Sequence, residues 1–302
     1  MAGWPQLDPA RDHDTLAVLH LASQMLGKIR VAHAPWTNQG WHVALQPRPN
    51  GLETLPTAAQ GARTFTLRLD LCRHAIVLWA SDETRDEVPL DAGTIATLHS
   101  RLVEMLDRHG LPSSFNGTPN EIAGAIPFAS DRTPRAYDRG SADRFREALA
   151  AITPVFEHFR AGFTGKCSPV HFWWGSFDLA VTRFSGRTAP QHPGGVPGLP
   201  DRIVREAYSQ EVSSAGFWAG GVVAAEPFFY SYAYPEPPGY RDRKADAGEF
   251  DPQWQEFTLS YSDVCAAPEP DALLMRFLRS TYDIAADLAA WDRRLERDPV
   301  AP

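Results

Sequence analysis

Hydrophobic positions along the chain follow two different periods. Four segments carry the period of about 3.6 residues that marks one face of a helix. They are residues 13–29, 92–109, 142–160 and 270–294. Six segments alternate hydrophobic and polar positions, or are rich in aromatic residues, as strands are. They are residues 41–47, 64–79, 170–184, 212–219, 227–234 and 255–263. This mixture predicts an α+β fold with antiparallel sheets.

Three residues are expected to interrupt or bend these predicted elements. Arg73 and His74 divide the segment 64–79 into two strands. Pro154 lies inside the third helical segment, where proline removes a backbone hydrogen bond, so a kink or a new turn is expected there.

The order helix, strands, helix occurs twice, which predicts two similar halves. We expect an N-terminal half over residues 1–112 and a C-terminal half over residues 142–302, packed as one compact unit. The intervening residues 113–141 have no sustained period and are rich in Ser, Pro, Gly and Asn, so a linker is expected there. Long Pro- and Gly-rich loops, above all residues 186–200, punctuate the second half.

A short motif supports an internal duplication. Gly27-Lys28 stands before His33 with the same spacing as Gly165-Lys166 before His171, and each pair follows a predicted helix. Gly27 would then be the stop signal of the first helix. If the halves are duplicates, a pocket on their pseudo-symmetry axis becomes the natural ligand site. The alternative is a chance match, because glycine commonly ends helices.

Composition and charge exclude several classes of protein. The 302 residues are 43% hydrophobic, which excludes wholesale disorder, and the net charge of −8 without a basic run argues against nucleic-acid binding. No stretch of 18 apolar residues and no apolar leader is present, so neither a membrane span nor secretion is expected. Cys72, Cys167 and Cys265 lack C-x-x-C spacing and are expected to be reduced cytoplasmic thiols.

Aromatic residues concentrate in three segments of the second half, at 171–174, 216–218 and 228–234. Successive residues of a strand face opposite sides, so one set can fill the core while the other walls a pocket. Tyrosine hydroxyls would add polar groups to such a wall. The aromatic residues expected to bind a ligand are Trp41, Trp174, Phe217, Trp218 and Tyr230.

Polar candidates for chemistry accompany these segments. Proton transfer needs a positioned histidine or carboxylate. The candidate catalytic residues are His42, His171, Asp178 and His192. Glu211 is expected to orient one of the histidines, and arginine or lysine groups would hold an anion. The candidate anion-binding residues are Lys28, Arg30, Arg183 and Arg187.

The cofactor cannot be named from the sequence. There is no P-loop and no G-x-G-x-x-G, which argues against ATP and NAD. A metal centre would have to combine His171, Asp178 and His192 with Glu206 or Glu211, because no H-E-x-x-H or C-x-x-C spacing occurs. A nucleophile elbow, G-x-S-x-G, is also absent from the sequence.

The chain resembles the bacterial family of unknown function numbered 5996 over nearly its whole length. The motifs that carry this resemblance include Gln24-x-x-Gly27-Lys28-Ile29-Arg30, Asn38-x-x-Trp41-His42-Val43, Ser168-Pro169-Val170-His171-Phe172, Thr182-Arg183-Phe184-Ser185-Gly186-Arg187, His192-Pro193-Gly194-Gly195 and Ser214-Ala215-Gly216-Phe217-Trp218. The sequence departs from the family at Gln39-Gly40, where His-Trp is expected, and at Gln210, where His is expected. The resemblance implies a shared fold and no particular activity.

Three functions are compatible with these features. The first is a cytoplasmic small-molecule enzyme, or an enzyme-like binder, with an aromatic-walled pocket for an anionic or aromatic metabolite. Its site would lie where the loops at 183–195 and 206–218 meet Lys28 to Arg30 and Trp41 to His42. The alternative is a non-catalytic interaction protein with an exposed aromatic patch. The third is a metal-dependent enzyme with histidine and carboxylate ligands. The reaction, the substrate and the oligomeric state stay open.

Overall fold

Two antiparallel sheets of six strands, one from each half of the chain, form the framework of the protein. The computed structural model describes residues 3–196, 198–221 and 224–297. The first sheet contains β1 (Gln46–Arg48), β2 (Gly51–Glu53), β3 (Thr57–Ala58), β4 (Thr64–Asp70), β5 (Ala75–Ala80) and β6 (Arg85–Pro89). Its strand order is β1-β2-β4-β5-β6, with β3 also paired to β4.

The second sheet is a longer meander. It contains β7 (His171–Trp173), β8 (Asp178–Thr188), β9 (Gln210–Trp218), β10 (Phe228–Tyr234), β11 (Glu249–Asp251) and β12 (Glu256–Ser260). The strand order is β11-β12-β10-β9-β8-β7, and every neighbouring pair is antiparallel. The predicted α+β class with antiparallel sheets is therefore confirmed.

Six helices of the described residues pack on these sheets. They are α1 (Pro9–His33), α2 (Ile95–Arg108), α3 (Arg139–Ala161), α4 (Asp201–Ala207), α5 (Tyr261–Ala266) and α6 (Pro270–Leu288). Helices α3 and α6 cover one face of the second sheet, where the alternate strand residues Leu179, Phe217 and Phe229 are buried. Pro154 lies inside α3, which runs on to Ala161. None of these helices combines the length and apolar character needed to cross a bilayer.

Helix α1 is buried on all sides. Every residue from Thr15 to Arg30 is buried, since α1 contacts α2, α3 and strands of the first sheet. A helix enclosed in this way has no single apolar stripe. Its start is capped by Asp8, whose side chain accepts hydrogen bonds from the backbone N–H groups of Ala10 and Arg11.

Gly27 does not end α1, contrary to the prediction. The helix continues to His33, and Gly27 instead leaves room for the indole of Trp174, because a Cβ there would lie 2.0 Å from Trp174 Nε1. The glycine therefore marks a close approach between α1 and the turn after β7.

The two sheets meet edge to edge. Leu45, just before β1, and Phe172 on β7 exchange both backbone hydrogen bonds, with N···O distances of 2.9 and 2.8 Å. This reciprocal antiparallel pair joins the halves directly. The element order is similar in both halves, but Lys28 lies inside α1 whereas Lys166 lies beyond Ala161, the last residue of α3. The proposed motif match thus falls on different positions, and a duplication is not confirmed.

The packing at Gly27 generates a stability prediction. Replacing a helical glycine by alanine normally stabilises a protein by about 1 kcal/mol. Gly27→Ala should instead destabilise it by about 1–3 kcal/mol, because the methyl group overlaps the Trp174 indole. Urea unfolding followed by circular dichroism measures the change. Gly117→Ala is the control, since a Cβ at Gly117 meets no atom within 4 Å. A stabilised Gly27→Ala variant would contradict the assigned contact.

Candidate functional site

Helices α3 and α6 pack on one face of the second sheet, and the opposite face is here called the outer face. Strand register places Asp178 of β8 opposite Trp218 of β9, which in turn lies opposite Phe228 of β10. Tyr230, two residues further along β10, belongs to the same face because side chains alternate. Leu179 and its neighbours on the other face form the core against α3 and α6. The outer face is therefore where aromatic and polar side chains of β8, β9 and β10 meet.

Asp178 is held by two hydroxyl groups on this face, at the end of the sheet where β8 begins and β9 ends. The phenol of Tyr230 donates to Asp178 Oδ2 at 2.5 Å, and the Ser176 hydroxyl donates to Oδ1. The Tyr230 ring reaches across β9 because Gly216 has no side chain, and a Cβ there would lie 2.2 Å from the ring. Burial raises the pKa of Asp178 to about 6, although both hydrogen bonds oppose the shift. Asp178 thus titrates close to neutral pH.

Two further carboxyl groups lie close enough to Asp178 for its charge to affect their pKa values. Glu121 comes from the irregular segment before α3, and Glu256 begins β12. Burial, together with repulsion by the Asp178 charge, raises the pKa of each to about 8. Glu256 Oε2 is buried and has no hydrogen-bond partner among the described residues. We call Glu121, Asp178 and Glu256 the carboxyl cluster.

A row of polar side chains on α1 fixes the segment that carries Glu121. Gln24 and Lys28 lie one helical turn apart on the same side of α1. The Gln24 amide donates to the Asn120 carbonyl oxygen at 2.8 Å and accepts from the Asn120 N–H at 2.7 Å. The Lys28 ammonium donates to Asn120 Oδ1. Asn120 is therefore bound through its backbone and its side chain.

The backbone conformation of Glu121, the residue after Asn120, directs its side chain toward Asp178. Glu121 has φ of 58°, in the left-handed region, and its carboxyl group lies over Gly175. A Cβ at Gly175 would be 1.9 Å from Glu121 Oε1, so the approach requires glycine. His20 of α1 fixes the same turn, because its Nε2 donates to the Gly175 carbonyl oxygen at 2.8 Å. Helix α1 thus positions both sides of the Glu121 contact.

Aromatic side chains surround the carboxyl cluster. Tyr232 of β10 and Tyr208, at the end of α4, share a hydrogen bond of 2.9 Å between their hydroxyls. The His192 ring stacks on Tyr208 with centroids 5.0 Å apart. Trp218 packs against Tyr230 at 5.1 Å, and its indole N–H is buried without a partner among the described residues. These rings shield the carboxyl cluster from water, and the Trp218 indole N–H remains an unused hydrogen-bond donor among the described residues.

A second polar group on this face is centred on Lys166. Its ammonium donates to Gln39 Oε1 at 2.8 Å and Gln210 Oε1 at 2.9 Å, and lies above the rings of Trp41 and Phe184. Gln39 and Gln210 are among the positions where the sequence departs from the family pattern. Gln39 and Gln210 thus take part in the same contact, in which their two amide oxygens accept hydrogen bonds from the Lys166 ammonium group.

His171 of β7 is 1% exposed and lies between Trp41 and Trp173. Neither ring nitrogen has a hydrogen-bond partner in the part of the chain that the structure describes. Burial lowers the pKa of His171 to about 3, so its ring is neutral at physiological pH. Because the His171 ring is neutral, it is a poor proton donor at neutral pH.

Three of the predicted site residues make structural contacts, and one of these contacts, from Trp174, joins the two halves. The Arg30 guanidinium donates to the backbone carbonyls of His42 and Pro56, and the Trp174 indole donates to the carbonyl of Val43. His42 itself is buried, with its Nδ1 near the backbone N–H of Thr37. All of these polar groups are engaged within the protein.

Other predicted residues lie away from the outer face. Phe217 and Arg183 are on the face covered by α3 and α6, where Arg183 stacks on Phe159. Arg187 forms an ion pair of 2.6 Å with Glu211 at a cleft of about 360 Å³. The structure therefore gathers Asp178, Trp218 and Tyr230, and brings His192 close through Tyr208 and Tyr232. It does not gather the expected anion-binding residues there.

Sequence reasoning missed Glu121, Glu256 and Tyr208. Glu121 belongs to the segment that was expected to be a linker, and no periodicity marks it. Tyr208 lies in the stretch Glu206-Ala207-Tyr208-Ser209, which matches the family in addition to the motifs given above, and this match is the one signal in the sequence that marks it. Within the described residues, no three His, Cys, Asp or Glu side chains converge as metal ligands do.

A family model matches residues 4–297, so the chain belongs to the family described as "Family of unknown function (DUF5996)". No curated protein and no solved structure matches it. The membership confirms the resemblance of the motifs over nearly the full length. It assigns no activity.

The carboxyl cluster predicts a pH-dependent stability. The ordinary pKa of glutamate is 4.5 and that of Glu256 in the folded chain is about 8. Between these values the unfolded chain releases a proton that the folded chain retains. The free energy of unfolding therefore falls as the pH rises from 4.5 to about 8. Glu256→Gln removes this loss and should stabilise the protein by on the order of 1 kcal/mol at alkaline pH, with little effect in acid.

Urea unfolding at several pH values measures this difference. Glu249→Gln is the matched control, because Glu249 is an exposed glutamate on the neighbouring strand β11. Equal effects of both substitutions at every pH would show that Glu256 is not desolvated.

Proposed function

We propose that the outer face binds a small molecule and that Asp178 exchanges a proton with it. The observation that carries this proposal is the arrangement around Asp178. A buried carboxylate is hydrogen bonded to a tyrosine, its charge raises the pKa values of two more carboxyl groups, and aromatic rings surround them. Structural cores rarely bury three acidic groups without arginine or lysine partners, because unpaired buried charge is costly. Strongly perturbed pKa values are typical of functional sites.

The pKa values suggest which carboxyl group of the cluster accepts a proton and which groups donate one. At pH 7, Asp178, with a pKa of about 6, is mostly ionised and can accept a proton. Glu121 and Glu256, with pKa values of about 8, mostly retain their protons and can donate one. Pairs of carboxyl groups with separated pKa values act as base and acid in many enzymes. We therefore favour an enzyme of general acid–base type.

The ligand that fits these groups is neutral or cationic. The acidic cluster would repel an anion, and the nearby Lys28 ammonium is already bound to Asn120. Hydroxyl or amine groups of a ligand would hydrogen bond to the carboxyl groups, and its body would pack on Trp218 and Tyr230. The aromatic-walled pocket expected from the sequence is retained in this proposal, and the expected anion is replaced by a polar molecule without negative charge.

An interaction surface is less well supported. The large aromatic side chains that are exposed, Trp36 and Trp79, already have partners within the chain. Trp36 donates to Glu206 at 2.8 Å, and Arg85 lies 4.2 Å above the Trp79 ring. Because these indoles are engaged, they offer a partner protein little free aromatic surface.

A binding experiment tests the proposal. Wild-type protein is incubated with a filtered extract of small metabolites below 1 kDa, then washed, and the retained masses are identified by mass spectrometry. We expect Asp178→Asn to retain at least about tenfold less of the enriched compound, because it loses the ionised hydrogen-bond acceptor. Asp263→Asn, at an exposed aspartate of α5, is the matched control. Equal retention by wild type and Asp178→Asn, with unchanged circular dichroism, would refute this site.

A further inference from the structure

The helix-covered side of the second sheet opens into a cleft rich in arginine. Its volume is about 350 Å³, and it lies between the end of α3, β8, α6 and the residues that follow α6. The charged and imidazole side chains that line it are His158, Arg183, Arg279, Asp283, Arg293, Glu296 and Arg297. Four guanidinium groups thus face two carboxylates.

Arg183 is the most buried of these cations. The side chain is 4% exposed, and its guanidinium carbon lies 3.6 Å from the ring centroid of Phe159 and 4.3 Å from that of Tyr282. One N–H donates to the Phe159 carbonyl oxygen. In the described part of the chain, its Nε has no hydrogen-bond partner and no carboxylate forms an ion pair with it. A buried guanidinium without an anion is unusual, because desolvating the charge is costly.

Both carboxylates of the cleft are already occupied. Asp283 and Glu296 pair with Arg293, at 2.5 and 2.8 Å, and the Tyr282 hydroxyl also donates to Glu296. Arg279 is exposed at the rim and forms no ion pair with any described residue. Within residues 3–196, 198–221 and 224–297, Arg183 and Arg279 therefore form no ion pair, and Arg183 feels only the more distant charge of Glu296 as a carboxylate partner.

We propose that this cleft binds a small molecule through an oxyanion group, phosphate or carboxylate, that Arg183 and Arg279 hold. The planar guanidinium fork matches the geometry of both groups, and the two rings on Arg183 keep its orientation fixed. Arg297 lines the same cleft; its Nε donates to the Ala161 carbonyl oxygen at 2.9 Å, which leaves its terminal nitrogens for the ligand.

This site is separate from the carboxyl cluster. Asp178 and Arg183 are five residues apart on β8, so their side chains project from opposite faces of the sheet. Of the four residues that the sequence suggested for binding an anion, only Arg183 lines this cleft. The proposal does not depend on the function assigned to the outer face.

Isothermal titration calorimetry with inorganic pyrophosphate and with citrate, at low ionic strength, tests the proposal and separates the two oxyanions. We expect one of them to bind to the wild type, and Arg279→Gln to weaken that binding about tenfold, because it removes a charged hydrogen-bond donor. Arg276→Gln is the matched control: it removes the same charge from the same helix, at an exposed residue that does not line the cleft.

Arg183→Lys provides a second variant that keeps the charge and removes the guanidinium fork. It should also weaken binding, with circular dichroism confirming that the variant is folded. The proposal is overturned if neither anion binds to the wild type. It is equally overturned if Arg279→Gln and Arg276→Gln weaken binding to the same extent, which would indicate attraction to the overall charge of α6 alone.

Discussion

Burial of α1 on every side is the constraint on which the rest of the protein depends. A helix without a solvent face must satisfy each of its polar side chains inside the protein, because an unpaired buried polar group costs about 1–3 kcal/mol. Gln24 and Lys28 do so by binding Asn120, and His20 by binding the backbone of Gly175. These contacts fix an otherwise irregular segment and the turn between β7 and β8. The candidate site contains residues of this irregular segment and of this turn.

The second sheet then separates two kinds of electrostatic environment. Its outer face carries three carboxyl groups with raised pKa values, and its helix-covered side carries a cleft with unpaired arginines. Alternation along β8 alone puts Asp178 and Arg183 on opposite sides. One strand thereby contributes to two sites of opposite charge, which explains why acidic and basic candidates close together in sequence do not meet in space.

The fold class could be predicted because periodicity depends on local burial. The division of residues 64–79 into β4 and β5 near His74 agrees with the structure, and α2 lies within the predicted helix. The extent of α1 was harder to predict, since a helix buried all round lacks a polar face and Gly27 is explained only by its contact with Trp174. Strand β6 was missed because its residues, Arg85 to Pro89, are mostly polar.

The site was predictable only in part, for a different reason. Asp178, Trp218 and Tyr230 lie on strands that could be recognised in the sequence. Their common face was not predicted, since the neighbours Phe217 and Trp218 were both expected to bind the ligand although they face opposite sides. Glu121 and Tyr208 reach that face through tertiary contacts of irregular segments, and no spacing rule marks such contacts. The candidate site therefore carries acidic groups instead of the expected basic ones, because the arginines lie elsewhere in the fold and the carboxyl groups come from distant positions of the sequence.

Carbon-13 NMR titration of the side-chain carboxyl groups tests the central claim most directly. Spectra of the wild type and of single Glu121→Gln, Asp178→Asn and Glu256→Gln variants assign the three signals. We predict that Asp178 titrates near pH 6 and that Glu121 and Glu256 titrate near pH 8. Removing the Asp178 charge should lower both glutamate values, since its repulsion contributes to each. Titration of all three groups below pH 5, close to the ordinary values of 3.8 and 4.5, would contradict a desolvated carboxyl cluster.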